Sequence, residues 1–184
     1  MPRAALRNKE RLAITVGNVD GDNLQRKGLL PFVQAAGLLP DVPFVVIGAW
    51  RDGAIDILKA AASSNVHFTG WLDERSLNDY YARARVYVQA SRHEGFGLSL
   101  AEAMSFECVP VVARAGALPE VVGDTGIYLE SVQPRVIAAG VQQALALDAC
   151  WGHRARARIV REFPLERRRD QLHALVDRTL HANG

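Results

Sequence analysis

Lysine is scarce in this sequence, 3 residues against 19 arginines, a skew we read as a property of the source and not of the function. Cysteine is scarcer still: the 2 present, Cys108 and Cys150, form no metal or redox spacing, and Cys108, which opens an apolar run, is expected in a core. No apolar run approaches the length of a membrane span, and residues 1–12 lack the apolar centre of a signal peptide. A soluble, cytoplasmic protein is the expectation. The formal net charge of +2 gives no push toward nucleic acid or a membrane surface. There is no internal repeat and no low-complexity linker, so residues 1–184 read as a single domain. What is present is ordinary globular composition, 49% apolar and 23% charged over 184 residues, enough for one α/β domain with a real core.

Short apolar runs at residues 12–16, 42–48, 66–68, 86–89, 109–112 and 126–129 read as buried strands. Between them lie helical stretches at residues 54–62 and 76–84, and another beginning near Leu29, whose Leu30, Phe32 and Val33 supply an apolar face. Residues 19–28, VDGDNLQRKG, carry turn chemistry. Strands alternating with helices at this spacing predict a Rossmann-like, doubly wound parallel sheet of about six strands with C-terminal helices. In such a sheet the loops after Val16, Ile47, Phe68, Val88 and Val112 converge on one edge, where ligands bind. Beyond Leu129 the pattern is helical alone, with Ile137, Val141, Ala144 and Leu145 on one face. An arginine-rich stretch, HRARARIVREF, follows, and then residues 165–180, with Leu172, Leu175, Val176 and Leu180 along one stripe. Because acids are interleaved, the arginines of this last segment read as a solvated face; RNA or anionic lipid is the competing reading.

The chain is organised around residues 92–104, RHEGFGLSLAEAM. Gly95-Phe96-Gly97 forms a turn between a strand and good helix formers, and two residues without Cβ let the backbone approach a ligand closely. A helix starting there offers unpaired N–H groups and a partial positive charge to an anion. Glu94 precedes the turn, and Glu102 lies about 7.5 Å along the helix. An anion flanked by two hydroxyl-seeking carboxylates describes a nucleoside diphosphate sugar; the bland alternative is a helix cap and a solvated glutamate. Lys27, opening a helix after the first strand-loop, brings an ammonium toward the same anion. Asp20-Gly21-Asp22 has the spacing of a metal-binding D-x-D, but Asp-Gly is ordinary turn chemistry, and no metal is assigned.

These residues resemble the E-x7-E signature of the retaining GT-B glycosyltransferases of group 1, family 4, and the resemblance runs from about Leu12 to Leu180. It implies that Glu94 contacts the donor sugar and Glu102 the ribose, with Gly95, Phe96, Gly97 and Leu98 turning their backbone to sugar and phosphate. The family's first loop reads G-R and then K-G. Here Lys27-Gly28 fits, but Gly17 is followed by Asn18, so Arg26 is the candidate for the missing charge. Trp71 and Leu72 are the candidates beside the base, Ser91 beside phosphate or Glu94, and His93 has at most a positioning role. Gly116 to Glu120, GALPE, resembles the family's G-G-x-P-E loop, with alanine for one glycine, and is expected to border the sugar. The implied function is donor binding: one half of a GT-B fold that moves a sugar from a nucleoside diphosphate sugar with retention of configuration. Lys27 and Glu94 would be its catalytic residues. The donor is a substrate, and no cofactor and no nucleic acid partner are implied. The N-terminal acceptor domain lies outside this chain or on a partner chain, so the isolated domain is expected to be inactive in transfer. Membrane association of the full-length protein stays open. The alternatives are a nucleotide-sugar binding module or subunit without transferase activity, or an interaction protein using its arginine-rich helices.

Overall fold

The computed structural model describes residues 9–163. Six strands, β1 (Glu10–Val16), β2 (Phe44–Ile47), β3 (Val66–Gly70), β4 (Ala84–Gln89), β5 (Val109–Ala113) and β6 (Ile127–Leu129), form one sheet in the order β3-β2-β1-β4-β5-β6. Every pairing is parallel: Ile14 of β1 lies opposite Val45 of β2 on one side and Tyr87 of β4 on the other. Parallel pairing demands crossovers, and helices supply them. They are α1 (Gly21–Arg26), α2 (Leu29–Ala36), α3 (Ala54–Ala61), α4 (Glu74–Arg83), α5 (Leu98–Ser105), α6 (Leu118–Val122), α7 (Pro134–Ala146) and α8 (Ala149–Glu162). This is the expected Rossmann-like α/β fold.

Alternation along the strands sorts the core into two layers. Ala13, Val46, Val86, Val88 and Val111 pack beneath α2, α3 and α7, with Phe32, Leu58 and Ile137 against them. Leu12, Ile14, Ile47, Tyr87 and Val112 face the opposite way, toward Tyr81 of α4, Leu100 and Met104 of α5, Leu118 of α6 and Ala155 of α8. Cys108 is buried in this second layer, as expected. Burying a Leu or Phe side chain contributes about 1.5–3 kcal/mol, so a sheet covered on both faces is what apolar runs such as Phe44–Ile47, buried throughout, require.

Several boundaries differ from the sequence reading. Residues 19–28 are not all turn: Asp20 accepts from the Asn23 N–H at 2.8 Å and so caps the short helix α1. Asp73 does the same for Ser76 at 2.7 Å, which starts α4 two residues before Ser76. The stretch read as a loop at GALPE holds the start of α6, with Pro119 in the first turn, a position where proline costs no hydrogen bond. The arginine stretch forms α8, and several of its side chains reach partners on neighbouring elements. Arg158 donates to the carbonyls of Glu120 (2.6 Å) and Val121 (2.8 Å) at the end of α6. Arg154 pairs with Asp124 at 3.0 Å, and Arg156 with Glu107 at 3.4 Å. Residues 165–180, with their leucine stripe, lie outside the described residues.

Candidate nucleotide-sugar site

The strand order reverses between β1 and β4, and the crevice outside their C-terminal ends is where doubly wound sheets bind ligands. Two loops meet there. The first leaves β1 at Val16 and runs through α1 to Lys27-Gly28; the second leaves β4 at Gln89 and reaches α5 at Leu98. Backbone joins them, since the N–H of Arg92 donates to the carbonyl of Arg26 at 2.8 Å. Gly28 is the other fastening. Its φ of 69° is left-handed, and a Cβ there would lie 2.4 Å from the Ala90 carbonyl oxygen, so a glycine is required after Lys27.

This packing carries Lys27 to Glu94: ammonium and carboxylate Oε2 are 3.6 Å apart, both side chains about four-fifths buried. Glu94 is held further by the Gln89 amide nitrogen at 2.8 Å and the Ser91 hydroxyl at 3.4 Å, both on Oε2. Its backbone is gripped from the β5–α6 loop, where the Ala117 N–H donates to the Glu94 carbonyl at 3.3 Å. Gly116, with φ of 52°, passes so close that a Cβ would stand 2.1 Å from that carbonyl oxygen. The GALPE segment, expected from the resemblance to border the sugar, thus borders Glu94. Beyond Glu94, Gly97 caps α5 in the left-handed region with no side-chain hydrogen bond. The first-turn N–H groups of α5 are therefore left for an anion.

Lys27, Ser91, Glu94, Gly95, Phe96, Gly97 and Leu98 are thus assembled at one crevice. Asn18 is exposed, with its carbonyl held by the Asn23 amide at 2.9 Å. Arg26, also exposed, places its guanidinium on the Asn23 side-chain oxygen. His93 is exposed. Glu102 sits farther along α5 and accepts from the Tyr81 hydroxyl at 3.1 Å. Burial, then Tyr87 and Glu102 nearby, push Tyr81 far above its usual ionisation range, so it remains a donor. Trp71 and Leu72 part company: Trp71 is 73% exposed at the end of edge strand β3, whereas Leu72 packs into the second core layer. Among the described residues no cluster of His, Cys, Asp or Glu has metal-holding geometry. Asp20 of the D-x-D has both oxygens on Asn23. No described helix is long and apolar enough to cross a membrane.

Sequence reasoning missed Tyr81, Tyr87 and Gln89. The available signal was polarity: Tyr87 and Gln89 alternate with Val86 and Val88 in the short run that read as a buried strand. Trp50, beside Gly70 and beneath the Lys59 ammonium (4.6 Å to the ring centroid), was missed as well; nothing in its neighbourhood in sequence marked it.

Comparison with known proteins bears on the family and the fold. The O-antigen chain mannosyltransferase B of Escherichia coli is 33% identical over 142 residues, covering 72% of this chain and 37% of that protein. The lipopolysaccharide core biosynthesis mannosyltransferase LpcC of Rhizobium leguminosarum bv. viciae is 29% identical over 133 residues, 70% of this chain and 37% of its own length. Among solved structures, sucrose-phosphate synthase from Thermosynechococcus elongatus superposes with a TM-score of 0.78 at 26% identity, over 94% of this chain and 46% of that one. Anabaena HepE, solved with UDP and glucose, gives 0.81 at 18% identity, over 92% and 48%. The chain therefore spans about a third of the length of these curated relatives and about half of the solved ones. The sequence model described as Glycosyl transferases group 1 matches residues 10–146, and with a fold corresponding to the C-terminal domain of GT-B enzymes, this chain belongs to the group 1 glycosyltransferase family.

Proposed function

We propose that this chain is the donor-binding part of a retaining glycosyltransferase, holding a nucleoside diphosphate sugar in the β1/β4 crevice. The observation that carries the reading is the pairing of Lys27 with Glu94, 3.6 Å apart, in front of the uncapped N-terminus of α5. Phosphates placed over the Gly95-Phe96-Gly97 turn meet the helix N–H groups and the Lys27 ammonium. Both stabilise the negative charge that grows on the departing diphosphate. Glu94 then lies on the sugar side, where a carboxylate orients hydroxyls, and Glu102 on the ribose side. The Gln89, Ser91 and Lys27 contacts that hold Glu94 support a preorganised sugar contact. The exposed Trp71 ring supports stacking on the base. The names of both curated relatives favour mannose as the sugar.

Such a site needs no metal, because Lys27 and the helix supply the positive charge. It also needs an acceptor surface facing the crevice, from a further domain or a partner chain. Transfer requires a closed cleft that excludes water and aligns the reacting atoms. Donor binding without transfer is thus the activity expected of residues 1–184 alone. Calorimetry with GDP-mannose, UDP-glucose and ADP-glucose, each beside its bare nucleoside diphosphate, tests the reading. At least one sugar nucleotide should bind, more tightly than its own diphosphate. Absence of binding to all six would overturn it, and multi-turnover transfer by the isolated chain would overturn the expectation of inactivity.

A further inference from the structure

Tyr87, Gln89 and Ser91 fall at alternate positions along β4 and its exit, so their side chains leave the same face of the sheet. All are buried, at 0%, 2% and 0% exposure. Polar side chains stay in such a place when they are bonded, and here the bonding has a definite direction. The Glu94 carboxylate oxygen can only accept, so the part of Gln89 facing it at 2.8 Å is the amide nitrogen. That nitrogen's other proton points to Ser91 Oγ, also at 2.8 Å. The amide oxygen is then fixed at the opposite end, 2.9 Å from the Tyr87 hydroxyl, whose single proton it accepts. In the 2.8 Å contact between Tyr87 and Ser99 the proton accordingly comes from the serine. Burial pushes the Tyr87 hydroxyl far above its usual ionisation range, so this donor persists at any working pH. Ser99 belongs to the first turn of α5. A buried relay therefore runs from the helix start, through Tyr87 and Gln89, to the carboxylate.

All three side-chain contacts that hold Glu94, from Gln89, Ser91 and Lys27, fall on Oε2. We propose that Gln89 is the positioning residue for Glu94: its amide, oriented by Tyr87, pins Oε2 and thereby turns Oε1 toward the sugar. The identity of what Oε1 meets rests on the donor-binding reading above; the positioning itself does not. Gln89 touches no substrate, and its effect passes entirely through Glu94.

Three variants test this. Gln89→Met keeps the length and volume of the side chain but removes the amide. It should weaken the tightest-binding sugar nucleotide about tenfold, the loss of one hydrogen bond to a charged group, while the bare diphosphate binds within about twofold of the parent. Gln89→Glu keeps an acceptor for Tyr87 but sets a second carboxyl against Glu94. The pair then shares a proton at low pH, when the introduced carboxyl can donate as the amide did, and repels at high pH. Sugar-nucleotide affinity of this variant should approach the parent's near pH 5 and fall toward pH 8, a slope the parent lacks. Tyr87→Phe, which leaves the amide free to turn, is the gentler change and should give a smaller loss with the same preference for the sugar nucleotide. Equal losses for sugar nucleotide and diphosphate, or a Gln89→Glu profile parallel to the parent's, would show that Gln89 merely holds the fold. A ligand-free readout separates the two readings. Crystal structures of the parent and Gln89→Met should show one Glu94 carboxylate orientation in the first and more than one in the second. One unchanged orientation in both overturns the positioning proposal, whereas a parent that binds none of the nucleotides overturns the donor reading alone.

Discussion

At the scale of single residues, the two glutamates of the crevice are held differently, and their removal should read out differently. The Glu102 side chain accepts from the Tyr81 hydroxyl and is otherwise exposed, open to a ribose in the proposed site. Glu102→Ala should cost about 1.5–3 kcal/mol, roughly ten- to a hundredfold in affinity, for sugar nucleotide and bare diphosphate alike. Calorimetry on the folded variant checks it. Glu94→Gln should spare the diphosphate and weaken the sugar nucleotide, because in the proposed site the ligand group that meets this carboxylate is the sugar. Asp20 separates two chemistries in one measurement. As the cap of α1, its replacement by alanine should lower stability by about 1 kcal/mol, seen in a denaturant titration. As a metal ligand, it would instead make donor binding sensitive to a chelator. The expected outcome is the stability loss, with binding unchanged when divalent ions are removed. The meeting of Lys27 with Glu94 was legible in the sequence because charge beside a glycine turn is a local pattern. Gln89 and Tyr87 were not, since what makes them matter is the carboxylate they reach through the fold.

At the scale of elements, the loops are set by close approaches that no side chain could share. Gly116→Ala would put a methyl group 2.1 Å from the Glu94 carbonyl oxygen, at a φ of 52°. We expect a loss of about 1–3 kcal/mol in stability together with weakened preference for the sugar nucleotide, measured by urea titration and calorimetry on the same preparation. The glycine itself was visible in GALPE, but its contact with Glu94 is a meeting of two loops distant in sequence. Helix positions were legible from apolar spacing, yet α1 and α6 were not. Each has only 5 or 6 residues, too few to show a helical period, and each exists because of a cap or a neighbour. Composition marked the arginines of α8 only as a basic stretch, without partners. Arg158 instead caps the carbonyls of α6, a role that depends on which helix end it happens to meet.

For the molecule as a whole, the buried hydroxyls and thiol set its behaviour in alkali. Burial raises Tyr81 and Tyr87 well above their ordinary 10.0 and pushes Cys108 from 9.0 up to about 11. A raised folded-state value means the folded chain holds its proton more tightly than the unfolded one. That contribution is complete below pH 9 and is lost as the pH climbs toward and through the folded-state values. Burial raises Tyr128 as well, and Lys9, lowered by its own burial, acts in the opposite sense, one group against four. Stability should therefore be level between pH 7 and 9 and fall steeply above, as chemical denaturation at pH 8 and pH 11 will reveal. Tyr87→Phe should shallow the fall. The sheet order was legible as a class from the alternation of strands and helices. The placement of Glu94 against Lys27 follows from that order, because reversal between β1 and β4 brings their exits side by side.

That reversal has a consequence for time as well as for place. Neighbouring strands β1 and β2 join through a single crossover, that of α1 and α2, but β1 meets β4 only after β2 and β3 have been laid down, with Ile14 opposite Tyr87. Closing so long a loop is entropically slow, so the seam between the two halves of the sheet should be among the last parts to form. The crevice lies on that seam. A molecule bound there would grip a junction still open at the folding barrier, leaving the rate of folding almost untouched while greatly lengthening the life of the native state.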